Sequence, residues 1–237
     1  QAYFPFAEED DLDDIENALN QCMWTAPECS APPGPLVSGE DGTRKLKEGA
    51  KSLREKTDRA IVGLFGGNLM EIGEFLYRND NFYMLLAGAP ERAHQFLDRL
   101  TEIHLNSLKD YLEAAGEYID VIQFGDDLGM QTGPQISPEM YREFFKPRHQ
   151  KMWNRARELA DVKVMLHCCG GVRELLPDLI DAGLDCINPV QITCAGMDAE
   201  GLKEDFGREI VFWGGGCDTR RILPQGSPKE VKEHVKK

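Results

Sequence analysis

The 237-residue sequence contains no Lys/Arg-rich block, and 41 acidic residues outnumber 27 basic ones, giving a formal charge of -14. Such a chain repels polyanions, so DNA, RNA and anionic membranes are not expected partners. No apolar run reaches the roughly 18 residues that a membrane-spanning helix needs. Seven cysteines are too few, and odd in number, for a disulfide-stapled secreted domain. A reducing cytoplasm is the expected setting, with Cys22, Cys29, Cys186 and Cys194 as incidental or buried thiols. No G-x-G-x-x-G follows a strand, and the Gly214–Gly216 triplet lacks a Walker lysine, which argues against a nucleotide-binding loop. The acidic run Glu8–Asp14 lacks the alternating ligands and central glycine of an EF-hand loop and reads as solvated surface or the edge of a helix. The remainder, 41% hydrophobic and 29% charged, is the composition of a folded globular chain. No signal peptide is recognisable, and the start at Gln1 leaves room for an earlier segment.

Residues 1–59 read as an irregular N-terminal portion of the same domain, with a proline-rich excursion over Ala26–Gly42 and a helix over Arg44–Arg59. From residue 60 to 237 strands and helices alternate. Strands are predicted at Ala60–Phe65, Tyr118–Phe124, Val162–Leu166, Leu184–Asn188 and Glu209–Trp213, each with helical material after it. Phe96, Leu100, Ile103, Leu108 and Leu112 form most of one apolar face of a helix over Pro90–Ala115. Ser137-Pro138-Glu139 opens another helix, which breaks near Pro147, and Ser227-Pro228-Lys229-Glu230 is a capping box. This is the grammar of a parallel β/α fold. Polar and reactive residues gather at the exits of several strands, which favours a (β/α)8 TIM-like barrel over a doubly wound sheet. Five strands are too few for a full barrel of about 250 residues, so an incomplete central portion, truncated at the C-terminus, is expected.

His167-Cys168-Cys169-Gly170 is the sharpest chemical signal. Side chains two apart on a strand share a face, so His167 and Cys169 can point together while Cys168 points elsewhere. An imidazole and a thiolate begin a zinc site, which in catalytic form takes three protein ligands and leaves one position open. Cys217, at another strand exit, is a candidate third ligand or a small residue in a glycine turn. A Cys-His nucleophile pair and a merely buried histidine beside two thiols remain alternatives. Asp126 and Asp127 follow the YIDVIQF strand, where a carboxylate could orient a ligand, bind substrate, donate a proton or only cap the turn. Only one of the two adjacent aspartates need face the site. Asn68, Gln123, Asn188 and Gln191 are polar candidates for ligand contact.

At these residues the sequence resembles the uroporphyrinogen decarboxylase superfamily, in its corrinoid-dependent methyltransferase-like branch. The matching stretches are AIVGLFGGNLMEIGEFL, YIDVIQFGDDLGMQTGPQISPEMYREFFKPRH, VMLHCCGGVRELLPDLIDAGLDCINPVQ and FWGGGCDTRRILPQGSPKEV. The resemblance implies a (β/α)8 barrel longer than this chain, with early strands before Gln1 and the last strand after Lys237. It also implies zinc held by a His-x-Cys pair, here His167 and Cys169, and a later cysteine, for which Cys217 stands in. The implied reaction moves a methyl group between a corrinoid carried by a partner protein and a thiol such as coenzyme M, or a methoxylated small molecule. Asp126 or Asp127 would bind or orient substrate from a neighbouring strand, and a homodimer is compatible with the family. Two alternatives follow from the same superfamily: a metal-independent uroporphyrinogen decarboxylase of tetrapyrrole biosynthesis, and a non-catalytic corrinoid- or ligand-binding barrel. The HCCG stretch, and Glu74 near the place of the decarboxylase tyrosine, depart from the decarboxylase pattern.

Overall fold

A computed structural model describes residues 3–8, 10–21 and 39–236. Cys22, Cys29 and the prolines of the expected excursion lie outside the described residues. Five strands form one parallel sheet: β1 (Val62–Gly66), β2 (Val121–Gly125), β5 (Lys163–His167), β6 (Cys186–Asn188) and β7 (Val211–Phe212). Their order in the sheet is β1-β2-β5-β6-β7, which is their order in the chain. A doubly wound sheet reverses direction at a switch point. Here each strand is laid beside the one before it without reversal, as in a (β/α) barrel. The sheet is open, with β1 and β7 at its edges.

Alternation along the strands sorts the side chains. Phe65, Ile122, Phe124, Val164, Leu166 and Ile187 are buried on the side covered by helices. The helical layer comprises α2 (Gly39–Lys56), α3 (Met70–Tyr77), α4 (Asn79–Gly88), α5 (Pro90–Ala115), α7 (Lys146–Leu159), α8 (Leu176–Asp181) and α9 (Ala199–Phe206). In α5, Phe96, Leu97, Leu100, Leu108 and Leu112 are buried at helical spacing, and each contributes about 1.5–3 kcal/mol by leaving water. Close packing of α3 on α4 depends on Gly73, where an added Cβ would lie 2.2 Å from the Phe82 ring. The expected acidic surface run is partly drawn inward, since Asp10 accepts hydrogen bonds from Tyr77 Oη at 2.6 Å and Arg92 Nε at 2.8 Å.

Three local features differ from the sequence expectation. The helix over Arg44–Arg59 instead spans Gly39–Lys56. The break expected near Pro147 is a π-helical turn over Tyr141–Phe145, between α6 (Pro138–Met140) and α7. Pro147 has no N–H to give to the preceding turn, and the wider turn absorbs that missing bond. A small hairpin, β3 (Gly129–Met130) with β4 (Gly133–Pro134), follows β2 and bridges to Gly171 after β5. The C-terminal helices are α10 (Ile222–Gln225) and α11 (Pro228–Val235), the latter opened by the capping box of Ser227 and Glu230. Near the N-terminus, α1 (Ile15–Asn20) buries Ile15 and Leu19. Among the described residues no helix is long and apolar enough to cross a membrane.

Candidate metal centre

The C-terminal ends of β1, β2, β5 and β6 converge on one cluster. Asp127 follows β2, His167 ends β5, and Cys169 lies two residues beyond it. One ligand atom from each lies within 4.8 Å of the others. Cys169 Sγ is 3.6 Å from His167 Nε2. The chain alternates at this exit, so Cys168 turns into the core, 2% exposed, where its sulfur accepts the Leu128 N–H at 3.3 Å. The Asp127 carboxylate accepts the Cys169 N–H at 2.6 Å, which ties the β2 exit to the β5 exit.

Pairing register decides the state of His167. Asn188 lies opposite it on β6, with Oδ1 2.7 Å from His167 Nδ1. The other end of the Asn188 amide donates Nδ2 to the Trp213 carbonyl at 3.0 Å. That contact fixes which way the amide points, so Oδ1 accepts and His167 Nδ1 carries the proton. The Nε2 lone pair is thereby free and faces Cys169. Metal-bound histidines are commonly held this way by a carbonyl on the other nitrogen. Asn188, expected to contact ligand, instead stands behind the histidine.

The two aspartates separate by tertiary contact. Asp126 is fully buried and accepts backbone N–H bonds from Met70 at 2.9 and 3.1 Å and from Glu71 at 3.2 Å, at the start of α3. His149 Nε2 approaches the same carboxylate at 3.2 Å, and Tyr141 Oη lies 3.2 Å from His149 Nδ1. Asp126 is thus a helix-anchoring group, and Asp127 is the one in the cluster. Cys217 stays outside it: the thiol of Cys217 reaches the Asp218 carbonyl at 3.9 Å, in a turn where Gly214 and Gly215 have φ of +141° and +73°. Gln191 caps the Gly170 N–H at 2.6 Å and so braces the segment after Cys169. Gly170 itself has φ +90°, and an added Cβ would come within 2.2 Å of the Gly129 carbonyl carbon, so the hairpin and the Cys169 segment touch backbone to backbone.

Beside the cluster is a cavity of about 280 Å³. Leu64, Ile72 and Phe75 supply apolar lining, and Asn68, Glu71 and Gln123 the polar part. Of the residues expected at the site, Asn68, Gln123, Asp127 and His167 therefore reach the cavity. Sequence reading missed Glu71, whose signal was an acid in the first helical turn after the Gly66-Gly67 strand exit. Glu71 accepts the Asp127 N–H at 3.2 Å and a bond from Asn68 Nδ2. Burial, then the charges of Asp126 and Asp127, push its carboxyl up to about 8. Burial and Asp127 likewise push the Cys169 thiol up to about 12. His104, an ordinary helical histidine by its sequence position, is buried at the cavity: its Nε2–H donates to the Asn68 carbonyl at 2.9 Å, and burial lowers its pKa.

The donor set suits zinc. With bonds of about 2.0–2.1 Å to nitrogen and about 2.3 Å to sulfur, a tetrahedral angle separates the two donors by about 3.6 Å. That is the observed Nε2 to Sγ distance. A carboxylate oxygen is an accepted third ligand.

Comparison with known proteins places the chain in a family. The model of the family described as uroporphyrinogen decarboxylase (URO-D) matches residues 46–237. Over 146 residues, 60% of this chain, the sequence is 31% identical to a methylated-thiol–coenzyme M methyltransferase of Methanosarcina mazei, covering 35% of that protein. A solved methyltransferase structure from Methanosarcina mazei superposes with a TM-score of 0.62 at 25% identity, over 80% of this chain and 52% of the other. The chain therefore spans between a third and about half of the length of these relatives. With its match from residue 46 to 237 and its likeness to these two methyltransferases, the chain belongs to the uroporphyrinogen decarboxylase family, in its methyltransferase-like branch.

Proposed function

We propose that this protein transfers a methyl group between the corrinoid of a partner protein and a thiol or methoxylated small molecule, at a zinc ion held by His167, Cys169 and Asp127. The observation that carries the reading is the 3.6 Å separation of Cys169 Sγ from a His167 Nε2 whose lone pair Asn188 leaves free. One relative is named for methyl transfer from methylated thiols to coenzyme M, which supports a thiol on one side of the reaction. When bound, zinc would hold a thiol as thiolate or polarise a methoxy oxygen, while the corrinoid cobalt carries the methyl group. Asp127 replaces Cys217 in the ligand set expected from sequence, because Cys217 is turned away into its own glycine loop.

The chain's own residues do the rest by position. Asn188 sets the His167 tautomer, and Asp126 anchors α3 so that Asn68 and Glu71 stay at the cavity. Leu64, Ile72 and Phe75 would offer the reacting methyl an apolar wall, and Asn68 and Gln123 would hold a polar end of the substrate. The five described cysteines are free thiols, which supports a reducing, cytoplasmic setting. The reading is tested by incubating zinc-loaded protein with methylcobalamin and thiols, including coenzyme M, and following demethylation spectroscopically. Turnover that requires zinc and is lost in His167→Ala and Cys169→Ala is expected. Decarboxylation of uroporphyrinogen by metal-free protein, with no methyl transfer, would contradict it.

A further inference from the structure

A partly buried chain of polar groups runs from α3 to Asp127 and takes no direct part in the reaction proposed above. Glu74 on α3 is 8% exposed. Its Oε1 lies 2.9 Å from the Tyr83 hydroxyl of α4, and that hydroxyl lies 2.5 Å from Gln135 Oε1. Gln135 Nε2 donates to the Asp127 carbonyl at 2.6 Å. The last contact fixes the amide, since the reverse orientation would set two carbonyl oxygens against each other. Tyr83 therefore faces two oxygens with a single proton. Gln135 Oε1 has none to give, so both contacts are hydrogen bonds only if Glu74 carries one.

We infer that Glu74 is a neutral carboxyl that donates to Tyr83 and, through Tyr83 and Gln135, holds Asp127 at the cluster. It is a positioning residue, and its link to metal binding rests on the cluster reading given above. Its surroundings favour the neutral form. Burial acts most strongly, and the carboxylates of Asp126 and Asp127 at the β2 exit add to it, pushing the Glu74 carboxyl up to about 7, while the Tyr83 hydroxyl on α4 pulls the other way. When the proton leaves to solvent, Tyr83 turns its own proton to the carboxylate. Gln135 Oε1 then loses its donor and the brace on Asp127 slackens.

Cys169 N–H donates to Asp127 Oδ1, so this amide reports where Asp127 sits. Its hydrogen exchange is followed by NMR in metal-free protein from pH 5.5 to 8.5, for wild type, Glu74→Gln and Glu74→Ala. Protection, corrected for intrinsic exchange, should fall in the wild type with a midpoint near 7. In Glu74→Gln, whose amide still donates to Tyr83, protection should persist throughout; in Glu74→Ala, where no carboxylate competes with Gln135 for the Tyr83 proton, it should not change with pH. The same three proteins are titrated with Co2+ against a chelator. Glu74→Gln should match the wild type at pH 6 and bind about tenfold more tightly at pH 8.5, within the range of outer-sphere effects on metal sites. A transition near pH 7 retained in Glu74→Gln or in Glu74→Ala overturns the inference. Wild type that binds no Co2+ overturns the cluster reading, while the amide measurement still decides the role of Glu74.

Discussion

Removing Asn188 isolates the step on which metal binding depends. In Asn188→Ala the acceptor 2.7 Å from His167 Nδ1 is gone, and the imidazole is free to carry its proton on Nε2, the nitrogen that should bind metal. The lost hydrogen bond is worth about 0.5–1.5 kcal/mol net. The freed ring must also be re-ordered on binding, at a further cost of up to about 1 kcal/mol. The sum, about 0.5–2.5 kcal/mol, predicts zinc binding weaker by about 2- to 60-fold, its upper part overlapping the effect of such supporting groups elsewhere. The global fold should survive, because the Trp213 carbonyl that Asn188 also holds belongs to a half-exposed residue and can turn to water. Zinc affinity would be read by chelator competition and the His167 tautomer by imidazole 15N shifts in the metal-free protein. An affinity within twofold of wild type, with the tautomer unchanged, would refute the reasoning.

Other perturbations have separate causes. Asp126→Ala strips the acceptor from the Met70 and Glu71 N–H groups and leaves His149 without its carboxylate. A loss of about 3–5 kcal/mol in urea unfolding is expected, the size found when one partner of a buried pair is removed. Gly170→Ala forces a side chain onto a φ of +90° and against the Gly129 carbonyl; strain of at least about 1–3 kcal/mol should lower the Tm and weaken zinc binding together. Glu74 gives a pH test. Its folded pKa is raised from 4.5 to about 7, so the folded state gains protons and wild-type stability falls as pH rises from about 4.5 through 7, by at most about 3 kcal/mol. Glu74→Gln should remove that fall, being more stable than wild type at pH 8 and no more stable at pH 4.5; parallel stability curves would contradict the shift.

The strand exits were legible in the sequence because apolar runs ended in glycine and polar residues, and the five runs fall in one parallel sheet in chain order. The His-x-Cys pair was legible from strand alternation alone. What distinguishes Asp126 from Asp127 was not, since it depends on where the first N–H groups of α3 lie, and α3 is 55 or more residues away in the chain. The role of Asn188 depends on the pairing of β5 with β6, which places it opposite His167. Sequence spacing gave no hint of that register. Cys217 looked equivalent to Cys169 as a thiol after a strand, yet the positive φ of Gly214 and Gly215 turns its segment elsewhere. The β3–β4 hairpin escaped notice because its strands are two residues long, too short to show any periodicity.

The most direct measurement is the zinc content of the protein purified folded, reduced and without chelators, beside His167→Ala, Cys169→Ala, Asp127→Ala and Cys217→Ala. The expected result is near one zinc per chain in the wild type and in Cys217→Ala, and loss in the other three. No zinc in the wild type, or zinc kept in Asp127→Ala and lost in Cys217→Ala, would contradict the proposed centre.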